Sequence, residues 1–163
     1  MWKNLSITVT CLFLISCVNL NGHVQMYKGA ALPPTQNSTI QGSNNYRRGS
    51  LANEMIRIVA VDSINIPKQW GVGEGANSVA LLPGFHIVKI FYVHGSPVGI
   101  DYYTYDSIPI QTVANCTYQI VAYTSSKDNT MGFSFIGYSS SQANEQDCGQ
   151  GRVDVDNNKP VSI

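Results

Sequence analysis

His86 and His94 stand among serines and aspartates in the aliphatic-rich part of the chain, the raw material of a Ser-His-Asp hydrolase. Such a site needs a nucleophile held against a base that a carboxylate orients. The Gly-x-Ser-x-Gly elbow that often presents the nucleophile does not occur here. The two histidines are eight residues apart on one strand face, about 27 Å at the usual rise, so they cannot share a metal ion. Neither Cys-x-x-Cys nor His-x-x-x-His spacing is present, which argues against a structural zinc site. Asp62, Glu74, Asp101 and Asp106 could supply paired carboxylates for glycoside cleavage. They fall at expected strand ends and turns, where Asp commonly caps a turn. Gly71-Val72-Gly73-Glu74-Gly75 lacks the Lys-Ser/Thr and following helix of a phosphate cradle, and reads as a flexible loop. His86 is expected to hydrogen-bond a neighbouring turn, His94 to sit in a turn, and His23 to be solvated. The reading is of a chain with no catalytic residue, no metal and no cofactor.

The remaining chemistry is that of sulfur, and its position in the chain decides it. The sequence opens with one cation, Lys3, followed by the apolar and hydroxylic run Leu5 to Ile15. That run is shorter than the ~20 apolar residues a spanning helix needs, and has the layout of a secretory signal. Leu14-Ile15-Ser16-Cys17 ends it and looks like the lipobox of bacterial lipoproteins. The resemblance implies that the Cys17 thiol takes a diacylglycerol, that residues 1–16 are removed and that the new amino group is acylated. Two or more acyl chains anchor a protein stably where one does so only marginally. The residue after Cys17 is Val18 rather than Asp, which in the enteric pattern points to the outer membrane. The other reading is an ordinary secretory signal cut further on, with Cys17 discarded.

Of the four cysteines, Cys11 lies in this leader and Cys17 would carry lipid, which leaves Cys116 and Cys148. An oxidising compartment offers this pair one bridge. Closing a loop of about 33 residues would stabilise by roughly 3–4 kcal/mol on the chain-entropy model. Two free buried thiols is the plainer alternative.

Ten basic and ten acidic residues balance, and charged residues make up only 12% of the chain. No basic stripe suits nucleic acid. Polarity rests on Ser, Thr, Asn, Gln and Tyr instead, with Tyr102, Tyr103, Tyr105 and Tyr123 near Phe91 and Tyr92. Tyrosine enriches interfaces because a large rigid ring carries a polar tip, and it is also an ordinary strand former. Phe91, Tyr102, Tyr103, Tyr105 and Tyr123 are the candidate partner-binding residues.

These side chains need strands to position them. From Glu54 onward the chain shows short runs of period two, at Met55–Asp62, Asn77–Leu82, Phe85–His94, Val98–Tyr105, Gln111–Val113, Thr117–Thr124 and Met131–Tyr138. Arg57 falls on the wetter face of its run. The apolar rows sketch a core of Ile56, Ile58, Val88, Ile90, Tyr118, Ile120 and Phe133 or Phe135. Turn chemistry between the runs, with no helical period after the leader, indicates all-β architecture: one antiparallel β-sandwich, or open barrel, of six to seven strands. Residues 17–50 read as a lipidated tether with an edge strand at Tyr27–Leu32, 51–138 as the sandwich, and 139–163 as a polar segment trailing over the surface.

The stretch Leu82-Pro83-Gly84-Phe85-His86, with Val61-Asp62 before it and Thr117-Tyr118-Gln119-Ile120 after it, resembles small uncharacterised proteobacterial lipoproteins with a Leu-Pro-Gly-x-His β-sandwich strand. The likeness covers roughly residues 54–136 and implies fold rather than activity. The chain departs from the pattern after Val61-Asp62, where Ser63 replaces the usual Gly of a hairpin turn. The expectation is a non-enzymatic envelope lipoprotein, anchored by acyl chains on Cys17 and contacting an envelope protein as an accessory subunit of an assembly such as a secretion apparatus. A glycan- or peptidoglycan-binding module and an unlipidated secreted effector or inhibitor are the alternatives.

Overall fold

Period-two apolar rows bury one face of a strand, and two such faces must meet to exclude water. The computed structural model describes residues 22–43, 53–67, 75–96, 99–125, 130–139 and 147–154. These form ten strands: β1 (His23–Gln25), β2 (Ser38–Gln41), β3 (Asn53–Val61), β4 (Ile64–Asn65), β5 (Ser78–Leu81), β6 (Gly84–Ser96), β7 (Gly99–Thr112), β8 (Cys116–Ser125), β9 (Thr130–Ser139) and β10 (Gln150–Asp154). One 3-10 turn, Pro34–Gln36, is the helical element among the described residues. The fold is all-β, as the sequence indicates.

The strands make two sheets, one ordered β1-β5-β2-β8-β9-β10 and the other β4-β3-β6-β7. They share one core. Ile40, Val79, Tyr118, Ile120 and Phe133 from the first sheet meet Ile56, Ile58, Val88, Ile90, Ile108 and Ile110 from the second, and all are fully buried. The Tyr92 ring stands edge-on to Phe133 across the gap, 5.5 Å between centroids. Each large side chain buried here contributes about 1.5–3 kcal/mol against the entropy of ordering the chain.

The sheets are joined along one margin without closing into a barrel. Ile58 exchanges two main-chain hydrogen bonds with Ala76, and the Ile56 N–H donates to Ser43 O at 2.7 Å. This margin requires glycine at 42, because a Cβ there would lie 2.0 Å from Ile56 O.

Four features correct the reading of the sequence. First, the described part of the tether of residues 17–50, residues 22–43, contributes two strands to the fold. β2 lies in the middle of the six-stranded sheet with Ser38 and Ile40 fully buried, and β1 pairs with β5. Tyr27–Leu32 forms bends rather than a strand. Second, the sheets are not wholly antiparallel, since β1 runs parallel to β5 and β2 parallel to β8. Third, β10 pairs with β9, so residues 150–154 do not trail over the surface. Fourth, Arg57 is buried, and its guanidinium donates a 2.7 Å hydrogen bond to Asn77 Oδ1.

The expected pieces at Val98–Tyr105 and Gln111–Val113 belong to one strand, β7, which pairs with β6 and has no second neighbour among the described residues. Its outer edge is interrupted. Pro109 has no N–H to offer, and the Ser107 N–H, on the same side two residues earlier, is taken by Asp106 Oδ1 at 2.7 Å.

Candidate functional site

The outer face of the four-stranded sheet follows from alternation and register. β6 turns Val88, Ile90 and Tyr92 into the core and therefore presents Phe85, Ile87, Lys89, Phe91 and Val93 outward. On β7 the outward partners are Gln111, Pro109, Ser107, Tyr105 and Tyr103 in the same order. Phe85 is 62% exposed and Ile87 50%. Leaving two such side chains in water is unfavourable unless something covers them.

Toward the other end of the face the rings cluster. Phe91 lies 4.9 Å from Tyr105 and 6.2 Å from Tyr103 between centroids, and Lys89 Nζ stands 5.5 Å from the Tyr105 ring centre. The sequence-predicted residues Phe91, Tyr103 and Tyr105 are thus brought together. Tyr123 is not with them: it lies on β8 in the other sheet, half-buried on that sheet's outer face. The side chain of Tyr102 and the whole of Cys17 lie outside the described residues. The six-stranded sheet has its own exposed apolar pair, Ile136 and Tyr138 on β9. Sequence reasoning places the even row of β6 inside and its odd row half covered, but it names none of Phe85, Ile87, Ile136 and Tyr138 as contact residues, because alternation separates two faces without saying how exposed the outer one is.

One end of the β6 face is pinned by Asp62. It occupies, with Ser63, a two-residue turn between β3 and β4 at positive φ (49° and 66°), as a type I′ hairpin requires. The hairpin forms although Ser63 stands where the resembled pattern has glycine, and Asp62 beside it is a residue type that tolerates this conformation. Asp62 Oδ1 accepts the Ile87 N–H at 2.9 Å, and Oδ2 lies 2.7 Å from His86 Nδ1. Partial burial alone would raise the Asp62 pKa. The hydrogen bonds from His86 and Ile87 and the charge of His86 outweigh it, so the carboxyl is held below its ordinary range.

His86 Nε2 donates to Leu82 O at 2.8 Å, the turn contact expected of it. Both ring nitrogens of His86 thus have partners within the fold, Asp62 on one side and Leu82 O on the other. His23, expected in water, sits in β1 with Nδ1 2.8 Å from Ser78 Oγ, and burial lowers its pKa. His94 lies within β6 rather than in a turn.

The Cys116–Cys148 bridge expected from the sequence is present, with Cα atoms 5.7 Å apart. Cys148 lies against β9 at Gly137, where a Cβ would come within 2.6 Å of the Cys148 Cβ and carbonyl, so this crossing requires glycine. Nearby, Tyr118 is fully buried, and its hydroxyl accepts the Val113 N–H at 2.9 Å. Burial raises the Tyr118 pKa, the Val113 bond opposes this, and the Asp147 charge adds to it. A cavity of about 260 Å³ opens beside the bridge, lined by Gln111, Val113, Phe135, Asp147 and Cys148. That is below the ~300–1,000 Å³ usual for a small-molecule pocket. Among the described residues no group of three or more His, Cys, Asp or Glu is placed to hold a metal ion, and no helix is long and apolar enough to cross a membrane.

The most distinctive surface is therefore the β6–β7 face with its cation, rings and exposed aliphatics. In comparisons with family models, curated proteins and solved structures, nothing matches the chain.

Proposed function

We propose that this chain is a non-enzymatic lipoprotein of the bacterial envelope, held at the outer membrane by acyl chains on Cys17 and serving as an accessory subunit of a larger assembly such as a secretion apparatus. One observation carries the reading. Both outer faces of the sandwich display large apolar side chains, Phe85, Ile87, Tyr103 and Tyr105 on one sheet and Ile136 and Tyr138 on the other. A head that is apolar on two sides suits a position between two neighbours better than free diffusion. The lipobox-like Leu14-Ile15-Ser16-Cys17 supplies the anchor.

Photo-crosslinking amino acids at Tyr105 and Tyr138 in cells test the partner. A defined adduct with one envelope protein from either position is expected, and a chain that stays alone from both positions sinks the proposal. Mass spectrometry of the mature N-terminus tests the anchor: an acylated Cys17 is expected, and a start beyond it without fatty acid removes the lipoprotein reading in favour of a secreted effector.

A second reading has its own support. Tyr103 and Tyr105 are neighbouring exposed rings on one sheet face, an arrangement that stacks on sugar faces. Co-sedimentation with purified sacculi, abolished by Tyr105→Ala, would favour a glycan-binding module over the first reading.

A further inference from the structure

We infer that the cavity beside the Cys116–Cys148 bridge is a socket for one arginine side chain presented by a partner protein. The inference goes beyond the envelope role proposed above and does not depend on acylation of Cys17.

The cavity lies where the sandwich is open. β7 and β10 are end strands of their sheets among the described residues, and Gln111 of β7 and Gln150 of β10 line the same cavity. Val113 and Phe135 line it too, both partly buried and packed on the core. Phe135 stands edge-on to the buried Tyr118 ring, 6.2 Å between centroids. Cys148 and its bridge form one wall, tied to β9 by the Gly137 N–H, which donates to Gly149 O at 2.9 Å. An engineered apolar cavity of about 150 Å³ is large enough to admit benzene. The cavity here, about 260 Å³, therefore has room for one large side chain and some of its water.

Charge selects the guest. Asp147 is an exposed member of the lining, and no cation lines the cavity. The Gly149 N–H donates to Asp147 Oδ1 at 2.9 Å, which holds the carboxylate in one orientation. A carboxylate held by one oxygen still has acceptor sites for a guest. The field of this charge reaches inward as far as the Tyr118 hydroxyl. Gln111 and Gln150 are exposed and bring amide oxygens as further acceptors. A purely aliphatic guest would suit Val113 and Phe135 but strip water from these acceptors without replacing it. A guest with an apolar stem and a cationic tip satisfies both halves of the lining. Arginine fits better than lysine, because its planar guanidinium stacks on an aromatic ring and spreads five donors over several acceptors. It is also a residue on which protein interfaces commonly anchor.

The test titrates the purified full-length chain, in a non-ionic detergent at neutral pH, with N-acetyl-arginine amide and follows the Val113 methyl signals by NMR. The neutral citrulline analogue and the lysine analogue are the comparison probes. A saturable shift at Val113 with a Kd of about 1–10 mM is expected, the range open to one small anchor without the rest of an interface. The citrulline analogue should bind about tenfold more weakly, having lost the charge but not the shape, and the lysine analogue should also be weaker than arginine. Asp147→Asn keeps the Oδ1 acceptor for the Gly149 N–H and should weaken arginine binding by roughly fivefold. Gln150→Glu adds a second carboxylate to the lining and should tighten it. No saturable shift at Val113, or equal binding of the citrulline analogue, overturns the inference on the parent protein alone, whatever the variants do. Binding as tight for lysine as for arginine overturns the choice of guest, and a shift unchanged in Asp147→Asn overturns the site.

Discussion

Asp62 concentrates more structural work than any other single side chain described above. It turns the chain at positive φ, takes the Ile87 N–H and braces His86 against Leu82 O. Its folded pKa lies below the ordinary 3.8. The stability that this carboxylate adds is therefore fully present above about pH 4 and is lost as pH falls through the folded value. Asp62→Asn keeps a residue that tolerates the turn and removes the titration. Urea unfolding across pH should show a stability gap between parent and variant at pH 7 that narrows in acid. His23 has the opposite chemistry and the same direction. Burial favours its neutral form below the ordinary 6.5, so its folded state binds fewer protons than the unfolded chain. Stability linked to His23 is whole above about pH 6.5 and declines as pH falls through that value, and His23→Gln should flatten this part of the pH profile.

At the scale of elements, the strands legible in the sequence were those long enough to alternate. Met55–Asp62, Phe85–His94, Thr117–Thr124 and Met131–Tyr138 correspond to β3, β6, β8 and β9, with Asp62 alone beyond its strand, and the sketched core of Ile56, Ile58, Val88, Ile90, Tyr118, Ile120 and Phe133 is buried. β1, β2 and β10 were not legible. Three to five residues give no readable period, and Ser38-Thr39-Ile40-Gln41 has one apolar member. Such strands are specified by neighbours distant in sequence, β5 and β8 for β2 and β9 for β10. The same limit separated Tyr123 from the other tyrosines, since alternation does not say which sheet a strand joins. β10 has a covalent aid in the Cys116–Cys148 bridge. Replacing both cysteines by serine should cost roughly 3–4 kcal/mol, measured by denaturant unfolding, with faster amide exchange at Arg152 and Val153 than at β8.

For the whole molecule, the consequence is that residues 22–43 belong to the folded unit. Ile40 tests this directly. In a tether, Ile40→Ala would leave stability unchanged; in the centre of the six-stranded sheet, fully buried, it should cost about 2–5 kcal/mol. Urea unfolding of the purified domain distinguishes the two outcomes. An acylated Cys17, as proposed above, would stand six residues before β1 and would hold the head close to its support.

Proteins confined to a surface meet one another far more often than the same number of molecules in free solution, and a long naked strand margin would then seed stacking. β7 is fourteen residues long and bare on one side among the described residues, yet Pro109 withholds a donor and Asp106 occupies the next one along. Copies crowded side by side would find that border a poor template, and so would stay separate while packed densely.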